Sequence, residues 1–146
     1  MKLSAKSRYA LASVTKMAMA YNSKETMTIL EIATDLNISK IYLERVFSQL
    51  KQGHVVSSIK GAQGGYYLAK MPHELTVYDV LLSVEPAIFA ENDKTVEDIA
   101  PKIEKTLQNQ IYTRLDQALK DSLSTVTLAD LAEDAQKDDS NYMYYL

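Results

Sequence analysis

All four glycines of this 146-residue chain fall between Gly53 and Gly65, three of them in the run Lys60-Gly61-Ala62-Gln63-Gly64-Gly65-Tyr66. Glycine takes positive φ at no steric cost and lets the backbone come close to a ligand, so both properties are concentrated in one short stretch. Val55-Val56-Ser57-Ser58-Ile59 precedes the run and Tyr66-Tyr67-Leu68 closes it. The stretch therefore reads as the cationic tip of a two-stranded hairpin, one too small to be stable alone. What lies ahead of it decides its use.

Ahead of it the capping signals are dense. Ser4 can cap a first helix running to about Tyr21, with Tyr9, Val14, Met17 and Ala18 on its apolar side, and Asn22-Ser23-Lys24 breaks it. Thr28-Ile29-Leu30-Glu31 has the form in which hydroxyl and carboxylate each satisfy an orphan amide, which predicts a helix over about 29–36. Asn37 suits its end, Ser39 can cap a helix over about 40–52, and Gly53 closes that one. Ile32, Leu36, Ile38, Leu43 and Val46, with the small Ala33 at the crossing, sit where a helix-turn-helix needs them. A two-helix hairpin of a bundle shares the short turn. The glycine hairpin that follows favours a winged helix-turn-helix, a mainly α fold with a small β wing.

Charge divides along the same line. Residues 1–70 hold eight Lys and two Arg against four acids, a net +6, and residues 71–146 hold six basic residues against fifteen acidic ones, a net −9. The chain average of −3 hides a basic half that carries the motif and an acidic half that phosphates repel. Cysteine is absent, which removes disulfides and thiolate metal sites and is compatible with the cytoplasm. Lys6, Arg8 and Lys16 interrupt the apolar start, so neither a signal peptide nor a membrane anchor is expected.

Beyond Pro72 helix returns: Thr76-Val77-Tyr78-Asp79 can cap a segment ending at Pro86, and a polar, acidic connection follows. After Pro101, Ile103, Leu107, Ile111, Leu115, Leu119 and Leu123 recur every four residues, with Tyr112 and Ala118 beside them. Such a row drifts around the helix, and suits packing on its own domain at one end and on a partner at the other. A single internal core helix explains the row nearly as well. Thr127 can cap a short last helix through about Ala135, followed by a polar run, Gln136 to Asn141, and the tail Tyr142-Met143-Tyr144-Tyr145-Leu146. The expected domains are 1–85, a winged helix-turn-helix; 86–101, a connection; and 102–146, a dimerisation helix with Ile111, Leu115, Ala118, Leu119 and Leu123 at the interface, plus the tail.

Taken together, the opening Met1-Lys2-Leu3-Ser4-Ala5-Lys6-Ser7-Arg8-Tyr9-Ala10, the stretch Ser39 to Leu50, the run Lys60 to Tyr66 and Thr127-Leu128-Ala129-Asp130-Leu131 resemble the Rrf-two family of bacterial winged-helix regulators, over nearly the whole chain. The resemblance implies a homodimeric, sequence-specific repressor of double-stranded DNA. It places Ser39, Lys40, Ile41, Tyr42, Glu44 and Arg45 in the major groove and Lys60, Gly61, Gln63 and Gly64 in the adjacent minor groove, with Lys6 and Thr28 on phosphates. Glu44 is the odd member, a carboxylate able to accept from a cytosine amino group while repelling phosphate. Sensing relatives hold an iron–sulfur cluster with three cysteines in the segment matching 86–105, which here has none, so cluster sensing does not transfer. Lys60 stands where relatives usually carry Arg, which weakens the preference for narrow A·T tracts. The likeness is greatest to a cysteine-free branch that represses cysteine metabolism and ends in a similar aromatic tail.

No catalytic motif is present. His54 and His73 stand without carboxylates at ligand spacing, and no phosphate loop or nucleophile elbow occurs, so neither enzyme activity, metal nor cofactor is expected. Tyr9, Tyr21, Tyr78 and Tyr112 are expected in packed helices, whereas the hydroxyls of Tyr42 and Tyr66 are candidates to reach phosphate. The tail can fold back on the body or the dimer partner. Alternatively its carboxylate and Leu146, with Tyr144 and Tyr145, can enter a pocket on another protein, and the resemblance names cysteine synthase. A second reading makes the chain a module that binds such an enzyme, with weak or no specific DNA binding.

Overall fold

In the computed structural model, residues 1–144 are described, with side chains through Lys137. Seven helices and one hairpin follow in order: α1 (Ala5–Met19), α2 (Ile29–Leu36), α3 (Lys40–Gln52), β1 (Val56–Ile59), β2 (Gly65–Leu68), α4 (Val77–Val84), α5 (Pro101–Leu107), α6 (Thr113–Ser124) and α7 (Leu128–Tyr144). The two strands pair antiparallel, Val56 opposite Leu68 and Ile59 opposite Gly65. The architecture is the expected one, mainly helical with a β-hairpin wing.

The caps form as the local sequence requires. Ser4 Oγ accepts from the Ser7 amide at 3.2 Å. Thr28 and Glu31 exchange reciprocal bonds at the start of α2, Asn37 ends it in the left-handed region at φ 53°, and Ser39 caps α3. The same reciprocal pairing recurs for Thr76 with Asp79 and for Thr127 with Asp130. Gly53 closes α3 at an ordinary φ of −83°, and the left-handed residue is its neighbour His54 at φ 60°. Gly53 is required for space: a Cβ there would sit 1.8 Å from Ser83 Oγ of α4. The glycine signal was right for a packing reason, not a conformational one.

The core gathers one face from each element of the head. Val14 and Ala10 of α1, Ile32 of α2, Leu43, Val46, Phe47 and Leu50 of α3, Val55 and Val56 beside the wing, and Val80 and Val84 of α4 are all buried in one cluster. Leu128 and Ala132 of α7 join that cluster, and α7 packs along α1. Backbone bonds from Val77 to Val126 and from Leu128 to Leu75, each 2.9 Å, lay the starts of α4 and α7 side by side. So the segment 102–146 divides: its last helix completes the core of the head, while its long helix touches the head along α4 and buries no residue of α6. The last helix is also longer than expected, reaching Tyr144. Polar residues from Gln136 to Asn141 lower burial but include neither Gly nor Pro, so they do not stop a helix. Tyr145 and Leu146 lie outside the described residues.

The long helix is continuous but not uniform. Between α5 and α6, Gln108–Tyr112 is wound as a π-helix, which no local signal announced. No residue of α6 is buried, and Ile103, Ile111 and Leu115 are 57%, 43% and 62% exposed. The alternative of an internal core helix is thereby excluded. On α5 the one buried residue is Glu104, whose two carboxylate oxygens accept from the amides of Thr95 and Val96 at 3.1 Å. That pairing fastens the connection to the helix and satisfies the buried charge with directed donors.

A second carboxylate fastens the other end of the connection. Glu85, the residue after α4, accepts from Ser4 Oγ at 2.9 Å and from Ser7 Oγ, so the start of α1 is tied to the end of α4. Ser7 is fully buried. The Ser7 hydroxyl above all, then that of Ser4 and the positive charge of Lys6, holds the Glu85 carboxyl below the ordinary Glu range against the opposing effect of burial. A depressed carboxyl pKa contributes stability that is present above the ordinary Glu range and is lost as pH falls through the folded-state value. Glu85→Gln is therefore expected to cost about 1 kcal/mol near neutral pH, with the gap to wild type closing below about pH 4. Urea titrations of both proteins across pH measure this; a gap that is constant down to strongly acid pH contradicts it.

Candidate nucleic-acid interface

The inner face of α3 is apolar and buried, so the helical period turns Lys40, Ile41, Glu44, Arg45 and Ser48 outward, and all five are exposed. Ile41 is 70% exposed, an aliphatic side chain without a core role on an otherwise polar face. Ser39 caps the helix through an acceptor bond from the Tyr42 amide at 3.4 Å. Tyr42 is half-buried and its ring meets that of Tyr9 edge to face at 5.4 Å, bracing the start of α3 against α1. Tyr9 and Tyr21 are 36% and 41% exposed, against the expectation that helix packing would bury them. Tyr9 lies on α1 with the Tyr42 ring against it, and Tyr21 lies in the turn after that helix.

Glu44 pairs with Lys40 one turn earlier at 3.8 Å, with both side chains about half exposed. Such an exposed pair is weak, yet it tempers the negative charge on the outer face. Arg45 has no carboxylate within 4 Å among the described residues.

The wing is fastened to α3 by contacts that the sequence analysis did not anticipate. Phe47 and Tyr66 meet edge to face at 4.9 Å, and Lys51 Nζ donates to Ser58 Oγ at 2.7 Å. Met27 and Tyr66 exchange backbone bonds of 2.8 Å, adding a one-residue third strand to the hairpin. Tyr66 therefore serves mainly to hold the wing. At the tip, Lys60, Gly61, Ala62 and Gln63 are exposed, Gly61 has φ 109°, and a Cβ on Gly64 would lie 2.2 Å from the Ile59 carbonyl oxygen. Neither position admits a side chain without rebuilding the turn.

Lys6 is half-buried on the first turn of α1, next to the exposed Arg8, whose guanidinium donates to the Leu3 carbonyl at 2.8 Å. At the start of α2 the amides of Thr28 and Glu31 are taken by the capping pair. The Thr28 amide above all, then Lys24, keeps the Glu31 carboxyl charged below its ordinary range. Basic groups thus lie on α1, α3 and the wing tip. Arg8, Ser48 and Lys51 are exposed members of this surface that motif matching passed over; periodicity of the outer α3 face was the available signal for Ser48.

No described helix is long and apolar enough to cross a membrane. A family model described as Rrf2, iron-dependent transcriptional regulator, matches residues 3–134. The HTH-type transcriptional regulator CymR of Bacillus subtilis is 32% identical over 146 residues, covering all of both chains. The solved structure of CymR (YrzC), the global cysteine regulator of B. subtilis, superposes with a TM-score of 0.74 over 91% of this chain and 97% of that one. That of T. potens IscR also superposes with a TM-score of 0.74, at 26% identity, over 99% and 97%. The family description names iron, but the residues present do not fit a cluster. The segment 86–105 has no thiolate, and both oxygens of its buried carboxylate, Glu104, are engaged by backbone amides.

Proposed function

Because the chain belongs to the Rrf2 family of transcriptional regulators, we propose that it represses transcription as a homodimer whose two heads read the half-sites of one operator. The observation that carries this reading is the outer face of α3. A helix buried to zero exposure on one side presents Lys40, Ile41, Glu44 and Arg45 on the other. This set combines donors for guanine and phosphate, an acceptor for a cytosine amino group, and an aliphatic group for a thymine methyl. Lys60, Gly61, Gln63 and Gly64 enter the minor groove beside it. Lys6 contacts phosphate at α1, and Thr28 does so at the start of α2. Relatives and structural neighbours in this family are regulators, not enzymes. The likeness to a global cysteine regulator supports genes of sulfur metabolism as targets, and the cytoplasm as the place of action.

Selection of bound fragments from the source genome gives the operator. On that operator, Lys60→Ala is expected to cost about 1–3 kcal/mol if the ammonium makes a close groove contact, or to flatten the salt slope by about one unit if it only neutralises phosphate. Unchanged affinity and slope in anisotropy titrations at several salt concentrations would remove the wing tip from the mechanism.

The long helix makes the dimer. Ile111 and Leu115 are exposed in the single chain, with Ala118, Leu119 and Leu123 continuing the row. A carboxylate at position 115 has to be desolvated against the partner, so Leu115→Glu is expected to sediment as a folded monomer with operator affinity lowered at least tenfold. A dimer of unchanged stability in that variant, measured by sedimentation equilibrium, contradicts this interface.

The tail, ending in Tyr144, Tyr145 and Leu146, is assigned to a partner pocket, with cysteine synthase as the candidate. Its support is the run of aromatic and aliphatic residues Tyr142-Met143-Tyr144-Tyr145-Leu146 behind a polar stretch. Deleting these three residues is expected to abolish binding of the synthase in calorimetry while the dimer persists. Equal binding by full-length and truncated protein sinks the assignment.

A further inference from the structure

Between the head and the long helix lies a cavity of about 330 Å³, walled by Tyr78 of α4, by Ile88 and Phe89 behind the connection's first turn, by Glu91, and by residues of the π-helical segment and α6. Its floor is aromatic: Tyr78 and Phe89 meet edge to face at 4.9 Å, and the Lys120 ammonium lies over the Tyr78 ring at 5.7 Å. Its rim is charged in both senses. Glu91 and Asp116 supply carboxylates and Lys120 an ammonium, yet among the described residues none of the three has an ion-pair partner within 4 Å.

Three charges of opposite sign around one cavity, left unpaired with one another, leave room for a molecule that carries both signs itself. The π-helical segment shapes the remaining wall. An i to i+5 winding brings Gln108 and Thr113 onto the same side, where the Gln108 amide donates to Thr113 Oγ1 at 3.1 Å, and both line the cavity. A regular α-helix would set these two residues about 140° apart around the axis. Inserted π turns recur at functional sites, and this one lies where the cavity needs its amide.

We propose that this cavity binds a small zwitterionic metabolite of the α-amino-acid class, its ammonium between Glu91 and Asp116 and its carboxylate on Lys120. The side chain of the ligand rests on the Tyr78–Phe89 pair. The volume falls at the small end of the range for metabolite pockets, which sets an upper limit near a single amino acid with a short side chain. Because α4 belongs to the head and α6 to the long helix, a ligand held by both fixes the angle between the DNA-reading unit and the helix assigned to the dimer. It favours whichever operator spacing that angle suits. Binding itself needs neither DNA nor the dimer assignment, so the two can fail separately.

The test is isothermal titration of the full-length protein, without DNA, against each proteinogenic L-amino acid at millimolar concentration. Saturable binding at one site per chain is expected for a small subset. The N-acetylated and the decarboxylated forms of the same compound are each expected to bind at least tenfold more weakly. Lys120→Gln, a change at an exposed side chain, and Asp116→Asn are expected to weaken binding at least tenfold while thermal melting and operator affinity without ligand stay as in wild type. The proposal is overturned if no amino acid of the panel gives saturable heat, or if both folded variants bind as tightly as wild type. A protein that binds its operator but no amino acid refutes the cavity site alone.

Discussion

Burial of one face of α3 is the constraint on which the rest of the structure depends. Leu43, Val46, Phe47 and Leu50 are each at zero exposure, held by α1, α2, α4 and the base of the wing. Removing side chains of this size from water stabilises the fold by roughly 1.5–3 kcal/mol each. A rotation of the helix about its axis would bring members of this buried face into water, so the packing fixes the rotation. The outward face follows from it, as does the direction in which Lys40, Ile41, Glu44 and Arg45 point. Specificity at a DNA surface needs side chains held in that way, because an unsteady reading face loses the difference between right and wrong base pairs.

The wing inherits its position from the same helix. The Phe47–Tyr66 contact begins in the α3 core, and the Lys51–Ser58 bond lies a turn later on the same helix, so hairpin and helix move as one body. A four-residue hairpin does not persist in water by its own bonds; this one is held by an aromatic pair and by the backbone bonds to Met27. The outer face of α3 and the wing tip are thus held in one relation by contacts within the chain.

Two carboxylates hold the acidic connection at its ends. Glu85 ties the exit from α4 to the two serines that open α1, and Glu104 ties the residues before α5 to that helix. Between these anchors the chain passes from a head completed by α7 to a long helix with exposed apolar residues. The connection is therefore a strut of defined ends between the part that reads DNA and the part assigned to dimerisation.

By itself the sequence determined what depends on near neighbours. The caps at Thr28, Ser39, Thr76 and Thr127 involve partners three residues away. The turn of the hairpin is set by its own glycines, and the inner face of α3 follows from the helical period, so each was legible with close boundaries. Tertiary structure decided whatever joins distant residues or sums competing small preferences. Glu85 meets Ser7 across 78 positions, Tyr9 meets Tyr42 across two helices, and Gly53 is small because Ser83 approaches it. The π turn at Gln108–Tyr112 left no local mark, and the extension of α7 left only a weak one, since its polar run holds neither Gly nor Pro. The long helix marks the border: its row of apolar residues was plain in the sequence, but only the folded chain left Ile103, Ile111 and Leu115 of that row exposed, since the head had already closed its core with α7.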